Sequence, residues 1–199
     1  MGDLLDFYAA CEWTGAVFGV VGVWLTTREV VWCWPVGLVN VSLSALVFFH
    51  FHLYASAALQ LVYVALSVYG WYEWLHGGKG DGRLAVSRTP PRWLAGLALG
   101  GAVFALALGS FLRYRTDAAL PFWDAGTTAF SLVAQWMITR KWLESWLVWI
   151  PVDVVYVGMY LSQRLHAFAA LYAVFLVLAV LGLLEWRRSM ASTARQAPA

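Results

Sequence analysis

Charge is scarce in this chain. Only 12% of its residues are Asp, Glu, Lys or Arg, against about a quarter in an ordinary soluble domain. A water-soluble core cannot hide a sequence that is 62% hydrophobic with a mean hydropathy of +0.69, so the bilayer is its natural solvent. Cysteine is scarcer still. Cys11 and Cys33 sit in no metal or redox spacing and read as packing residues. The net charge of +2 is too small to point to a nucleic-acid partner. The opening MGDLLDF has no basic segment of the kind that starts a cleaved signal peptide, so the first apolar run is expected to stay in the mature protein. No P-loop, HExxH or nucleophile elbow is present, which argues against ATP-driven pumping and hydrolysis by this chain alone. His50 and His52 stand two apart at a helix end without a carboxylate or thiolate cluster, which does not suit a metal; no cofactor is expected.

What the chain has in abundance is long apolar runs and 13 Trp. Spans are expected at 10–26, 30–50, 53–75, 93–113, 122–138, 142–161 and 165–186. They are broken by short polar stretches such as Thr26-Thr27-Arg28-Glu29 and Thr139-Arg140-Lys141, and by the longer Gly- and Pro-rich 76–92, read as a flexible connector. One alternating set of loops carries ten basic residues, from Arg28 through Lys79, Arg83, Arg88, Arg92, Arg140 and Lys141 to Arg187, Arg188 and Arg195. The other set carries three, Arg113, Arg115 and Arg164. By the positive-inside rule the N-terminus faces outside and the C-terminus the cytoplasm.

A shift of 112 residues superposes two parts of the chain without a gap. Trp24 falls on Trp136, Thr27-Arg28 on Thr139-Arg140, Trp34 on Trp146, and Gly70, Glu73 and Trp74 on Gly182, Glu185 and Trp186. The repeats start an even number of crossings apart, so they have the same orientation and a pseudo-two-fold axis along the membrane normal. A three-helix unit crosses an odd number of times, so one extra helix must join them. The fold expected is an all-α membrane protein of seven transmembrane helices, in 3+1+3 parallel three-helix repeats. The first repeat takes 1–75, a cytoplasmic loop 76–92, the linker helix and its loop 93–121, the second repeat 122–188, and a disordered cytoplasmic tail 189–199. Gly96 and Gly100 are the expected packing face of the linker helix.

Polar residues inside the spans fall in stripes. Span six places Trp146, Trp149, Asp153, Tyr156 and Tyr160 on one helical face. Span five does the same with Asp124, Thr128, Ser131 and Gln135. Gln60, Tyr63, Ser67 and Trp74 line span three, and Cys33, Gly37, Asn40 and Ser44 line span two beside Pro35. A mid-span carboxylate such as Asp153 is costly in hydrocarbon and belongs in a protein interior or wet cavity. Acceptors, amide donors and aromatic faces together suit a neutral or cationic, hydroxyl-bearing ring compound. Against this, intramembrane Ser and Thr often bond only their own helix, Asn40 and Gln60 can serve as interhelical glue, and Trp74 and Trp186 end their helices as interfacial anchors would. A membrane-embedded enzyme would have only Asp124, Asp153 and His166 as acid/base groups, on separate segments and with no nucleophile among them.

The segment WPVGLVNVSLSALVFFHFHLYASAALQLVYVALSVYGWYEW (34–74) resembles the first repeat of the PnuC family of bacterial inner-membrane vitamin transporters. The segments FWDAGTTAFSLVAQWMITRKWLESWLVWIPVDVVYVGMY (122–160) and LYAVFLVLAVLGLLEWRR (171–188) resemble its second repeat. The resemblance implies a SWEET-like 3+1+3 fold, a homotrimer in the lipid bilayer, and facilitated diffusion of nicotinamide riboside with trapping by a cytoplasmic kinase. It implies substrate contacts from Trp146, Trp149, Gln135, Asp124 and Asn40, with Gln60 and Tyr63 beside them. Ser145 departs from the Asn that many members carry between Glu144 and Trp146, which keeps thiamine or another vitamin as the alternative cargo and a sugar as a third. The full set of candidate binding residues is Asn40, Gln60, Tyr63, Asp124, Thr128, Gln135, Trp146, Trp149, Asp153 and Tyr156.

Overall fold

A computed structural model describes residues 2–50, 52, 54–78, 82, 84–116 and 120–196. It is all-helical. Among the described residues there are seven helices and no strand: α1 (Gly2–Thr27), α2 (Cys33–His50), α3 (Tyr54–His76), α4 (Pro91–Arg115), α5 (Pro121–Thr139), α6 (Ser145–Ser162) and α7 (His166–Gln196). They sort into two compact units, residues 1–84 with α1–α3 and residues 85–199 with α4–α7.

The helices α2, α4, α6 and α7 are long and apolar enough to cross a bilayer, and 13–27 of α1 forms a shorter apolar stretch. The others fall short in mean hydropathy because they carry the polar stripes: Gln60, Ser67 and Glu73 on α3, and Asp124, Thr128, Ser131 and Gln135 on α5. Large apolar side chains point outward instead of inward. On α4 alone Leu99, Val103, Leu106 and Phe111 are each more than half exposed, as a lipid-facing helix requires.

Two element ends differ from expectation. Helix α1 begins at Gly2, eight residues before the first apolar span. Helix α7 runs on to Gln196, so 189–196 is helical rather than a disordered tail, while 197–199 lies outside the described residues. Nothing in that stretch breaks a helix: 189–196 holds Ser, Met, Ala, Thr, Arg and Gln and neither Pro nor Gly. The packing face of α4 also lies elsewhere. A β-carbon added at Gly96 or Gly100 would meet nothing within 4 Å, whereas one at Gly101 would stand 3.2 Å from Phe130 and Val133 on α5 and one at Gly109 would press on Phe122.

Each unit is closed by the same device. In the first, Trp34 at the start of α2 drives its indole against Gly70 of α3 and meets Trp74 edge-on, with centroids 5.4 Å apart and planes at 89°. In the second, Trp146 at the start of α6 lies against Gly182 of α7 and meets Trp186 at 5.3 Å and 83°. All four indoles are at most 3% exposed, so Trp74 and Trp186 are buried partners of these wedges and not interfacial anchors. The turns feeding the wedges match too. Thr27 Oγ1 donates to the Trp24 carbonyl at 2.7 Å and Thr139 Oγ1 to the Trp136 carbonyl at 2.6 Å. Among the described residues, the four non-glycine residues with positive φ, Glu29 and Lys141 (56° and 49°) and His52 and Arg164 (both 60°), pair off at the 112-residue offset. A left-handed residue at each short helix-to-helix turn is uncommon in itself, and its recurrence shows that the turns are copied along with the side chains.

The wedge explains why positions 70 and 182 are glycine. A β-carbon at Gly70 would clash with the Trp34 ring, and one at Gly182 would stand 2.6 Å from Trp146. Gly182→Ala should therefore lower the unfolding free energy in detergent by about 1–3 kcal/mol through overpacking. Gly126→Ala, where an added methyl meets nothing within 4 Å, should be neutral or slightly stabilising. Thermal melts of the two purified variants check the contrast.

Candidate substrate-binding site

The candidate residues divide between the units. Asn40 on α2 and Gln60 and Tyr63 on α3 belong to the first; Asp124, Thr128 and Gln135 on α5 and Trp146, Trp149, Asp153 and Tyr156 on α6 belong to the second. Asn40 is partly committed within its unit, since its amide Nδ2 donates to the Gly15 carbonyl of α1 at 2.6 Å. The Asn40 Oδ1 retains its acceptor capacity. Gln60 and Tyr63 are half-buried on α3, and Ser67, one turn further on, is buried.

In the second unit the polar groups nearest helix backbone turn inward on themselves. Thr127 Oγ1 donates to the Trp123 and Asp124 carbonyls, each at 3.0 Å, and Ser131 Oγ to the Thr128 carbonyl at 2.9 Å. That leaves Asp124, Thr128 and Gln135 as the α5 side chains with capacity to meet a ligand; Asp124 is exposed, and Thr128 and Gln135 are half-buried. On α6 the face runs from Trp146 through Trp149 and Asp153 to Tyr156 and Tyr160. Asp153 is 3% exposed and Trp149 half-buried. Trp146 differs from its neighbours, because the wedge on Gly182 and Trp186 encloses it.

Three buried polar atoms make no hydrogen bond among the described residues: Trp34 Nε1, Trp146 Nε1 and Ser145 Oγ. Two of them are the wedge indoles at matched positions. Leaving a buried donor unpaired costs about 1–3 kcal/mol, which the ring burial of each Trp offsets. Sequence reasoning paired Trp34 with Trp146 but gave only the second a role. Their common burial gives both a packing role.

A further contact was not legible in the sequence. The segment before α4 runs beside the α5–α6 turn, with Ser87 N–H donating to the Lys141 carbonyl at 3.1 Å and Leu143 N–H to the Ser87 carbonyl at 2.9 Å. Glu144 closes the clasp. Its carboxylate accepts from the Thr89 N–H at 2.7 Å, the Thr89 hydroxyl at 2.8 Å and Arg88 at 3.3 Å. Residues 84–90 are thus fixed by backbone pairing, where a wholly flexible connector was expected; 79–81 and 83 lie outside the described residues. Burial alone would raise the Glu144 pKa. The hydrogen bonds from Thr89 and Arg88 outweigh it and hold the carboxyl below its ordinary 4.5. A carboxylate so depressed adds stability above its ordinary value and loses it as pH falls through the lowered one. The melting midpoint of the wild type should exceed that of Glu144→Gln at neutral pH, and the gap should close as the pH drops below 4.5.

An all-helical chain with apolar outer faces, and with carboxylate, amide and aromatic groups gathered on a few helical faces, defines a membrane transport protein. The chain belongs to the family described as nicotinamide mononucleotide transporter, whose model matches residues 9–188. It is 27% identical over 203 residues to the nicotinamide riboside transporter PnuC of Escherichia coli, covering 89% of this chain and 85% of that protein. It is 29% identical to the riboflavin/roseoflavin transporter RibM of Streptomyces davaonensis, covering 88% of this chain and 83% of that protein. The crystal structure of the vitamin B3 transporter PnuC shares the fold, with a TM-score of 0.73 at 22% identity over 92% of this chain and 83% of that one.

Proposed function

We propose that this chain imports nicotinamide riboside across a bacterial inner membrane by facilitated diffusion, and that a cytoplasmic kinase then traps the riboside by phosphorylation. The observation that carries the reading is the α6 face, where Trp149, Asp153 and Tyr156 follow one another at helical spacing with Asp153 almost fully buried. A flat cationic ring stacks on the aromatics, the carboxylate balances its charge, and Gln135 and Thr128 of the same unit supply donors and acceptors to a ribose, with Asn40 and Gln60 as the first unit's own candidates. Tyr63, Asp124 and Trp146 complete the proposed set. The names of the relatives support this cargo, and no enzymatic step is assigned.

The phosphorylated nucleotide is a poorer fit. Of the 13 Lys and Arg, Arg113 is the last residue of an expected span and the other twelve lie in the expected loops or tail, so none stands mid-span to meet a phosphate. The topology we infer puts the N-terminus outside and the C-terminus inside, with two parallel three-helix repeats joined by α4, and with a homotrimer as the assembly in the lipid bilayer. Alternating access would come from rocking of the repeats, flexing near Pro35 and Pro151. A second reading keeps the fold and changes the cargo. The 29% identity to a riboflavin transporter favours another flat vitamin, with thiamine as a further case and Ser145 as the position that departs from the family pattern.

Uptake of labelled riboside, thiamine and riboflavin into proteoliposomes with no imposed gradient tests these readings. Equilibrating entry of the riboside alone is expected. Entry of thiamine or riboflavin instead would move the cargo. Asp153→Asn should leave a folded protein with uptake reduced about tenfold or more, since it removes the buried countercharge; full uptake by that variant would remove Asp153 from the site.

A further inference from the structure

Further along the α6 face from Trp149 and Asp153, the second unit holds a group of aromatic rings of which the proposed site uses only Tyr156. Tyr156 and Tyr160 of α6 stand nearly parallel, 5.9 Å apart at 12°. Tyr160 stacks on Phe168 of α7 at 5.4 Å and 27°. Tyr172 of α7 packs against both tyrosines, at 4.4 Å from Tyr156 and 5.3 Å from Tyr160. The Tyr160 and Tyr172 hydroxyls are hydrogen-bonded, and the Asp124 carboxylate of α5 lies within electrostatic reach of Tyr160. Three helices of one unit thus contribute to one aromatic group with a carboxylate beside it.

We propose that Phe168, Tyr160, Tyr172 and Tyr156 form an entry rail, with Asp124 as its countercharge, on which a flat cationic base is first captured before it moves to Trp149 and Asp153. The proposal deepens the reading as a riboside carrier and rests on it. Tyr160 lies eleven residues along α6 from Trp149, about 16 Å at helical rise, so the two stations are distinct. In the inferred topology this end of α6 faces outside. The rings stand too close together for a base to slide between them, so a base reaches the group from its exposed end, Phe168, which is 40% exposed. Aromatic residues at a membrane interface commonly form a belt. A belt ring points singly toward headgroups, whereas these stack on one another along the same α6 ridge that carries Trp149 and Asp153. The repeat marks the same feature. Tyr172 and Tyr156 occupy the positions that Gln60 and Ser44 hold in the first unit, so the rings at these two positions are peculiar to the second.

The test is the concentration dependence of initial uptake into proteoliposomes for nicotinamide riboside, a cation, and for its dihydro form, whose ring is neutral. Tyr160→Leu and the surface variant Phe168→Leu should raise the half-saturation concentration for the cation, the former about tenfold, with the maximal rate little changed. Tyr160→Phe, which keeps the ring, should recover most of the loss. Asp124→Asn should weaken capture of the cation severalfold and that of the dihydro form much less. The rail is overturned if both leucine variants keep the wild-type half-saturation or lose only maximal rate, or if Asp124→Asn acts equally on both forms. A wild type that carries neither form overturns the riboside reading and the rail with it. Size-exclusion profiles of each variant confirm that the protein assayed is folded, and Phe168→Leu, at an exposed position, carries the test should Tyr160→Leu fail to fold.

Discussion

An indole pressed onto a helix that has no side chain at the point of contact holds each half of this protein together. In hydrocarbon the hydrophobic effect does not draw helices to one another, because lipid tails are as apolar as leucine; close packing has to do so. Trp34 on Gly70 and Trp146 on Gly182 provide it, each capped edge-on by a second buried tryptophan. The large ring gains area and dispersion contacts that the missing side chain makes available. Its position at the first turn of α2 or α6 also fixes how the preceding turn enters the helix. The left-handed residues Glu29 and Lys141, and the threonine hydroxyls bonded back to the Trp24 and Trp136 carbonyls, are parts of that entry.

The repeat separates structure from function residue by residue. What the two copies share is what packs: the wedge tryptophans, their glycines, the Thr-Arg turn, the Glu-Trp helix end. What they do not share is what a ligand would touch. Trp149 answers to Gly37, Asp153 to Val41, Tyr156 to Ser44, Gln135 to Val23, and Asn40 to Val152. A riboside has no two-fold symmetry, so a pseudo-symmetric scaffold must diverge at the contacts while keeping its frame. The same argument explains why Trp146, although on the α6 stripe, is so deeply enclosed: it belongs to the shared set.

Most of the fold was legible in the sequence, because hydropathy, basic loops and a gapless offset are one-dimensional signals. Seven helices, their breaks and the repeat all follow from them. The misreadings have physical causes. Helix ends in polar sequence carry no hydropathy edge, so α1 and α7 outrun their apolar spans. Gly96-to-Gly100 and Gly101-to-Gly109 look alike in the sequence, and only the rotation of α4 against Phe122 and Phe130 decides between them. Trp at a helix end fits both a headgroup anchor and a wedge partner, and burial chose the second for Trp74 and Trp186. The Glu144 clasp joins residues 55 positions apart and leaves no periodic trace. Tyr172 could have been found, since the offset places it on Gln60, already singled out in the first repeat.

The central claim is that the α6 face, with Trp149 and the buried Asp153, receives a cationic riboside that bears no phosphate. Calorimetric titration of the purified protein with nicotinamide riboside and with its 5′-phosphate tests it most directly. The account predicts saturable binding of the riboside and binding of the phosphate weaker by about tenfold or more, since two added negative charges would enter a site that offers carboxylates and no span-embedded cation. Binding of the phosphate as tight as, or tighter than, that of the riboside would contradict it.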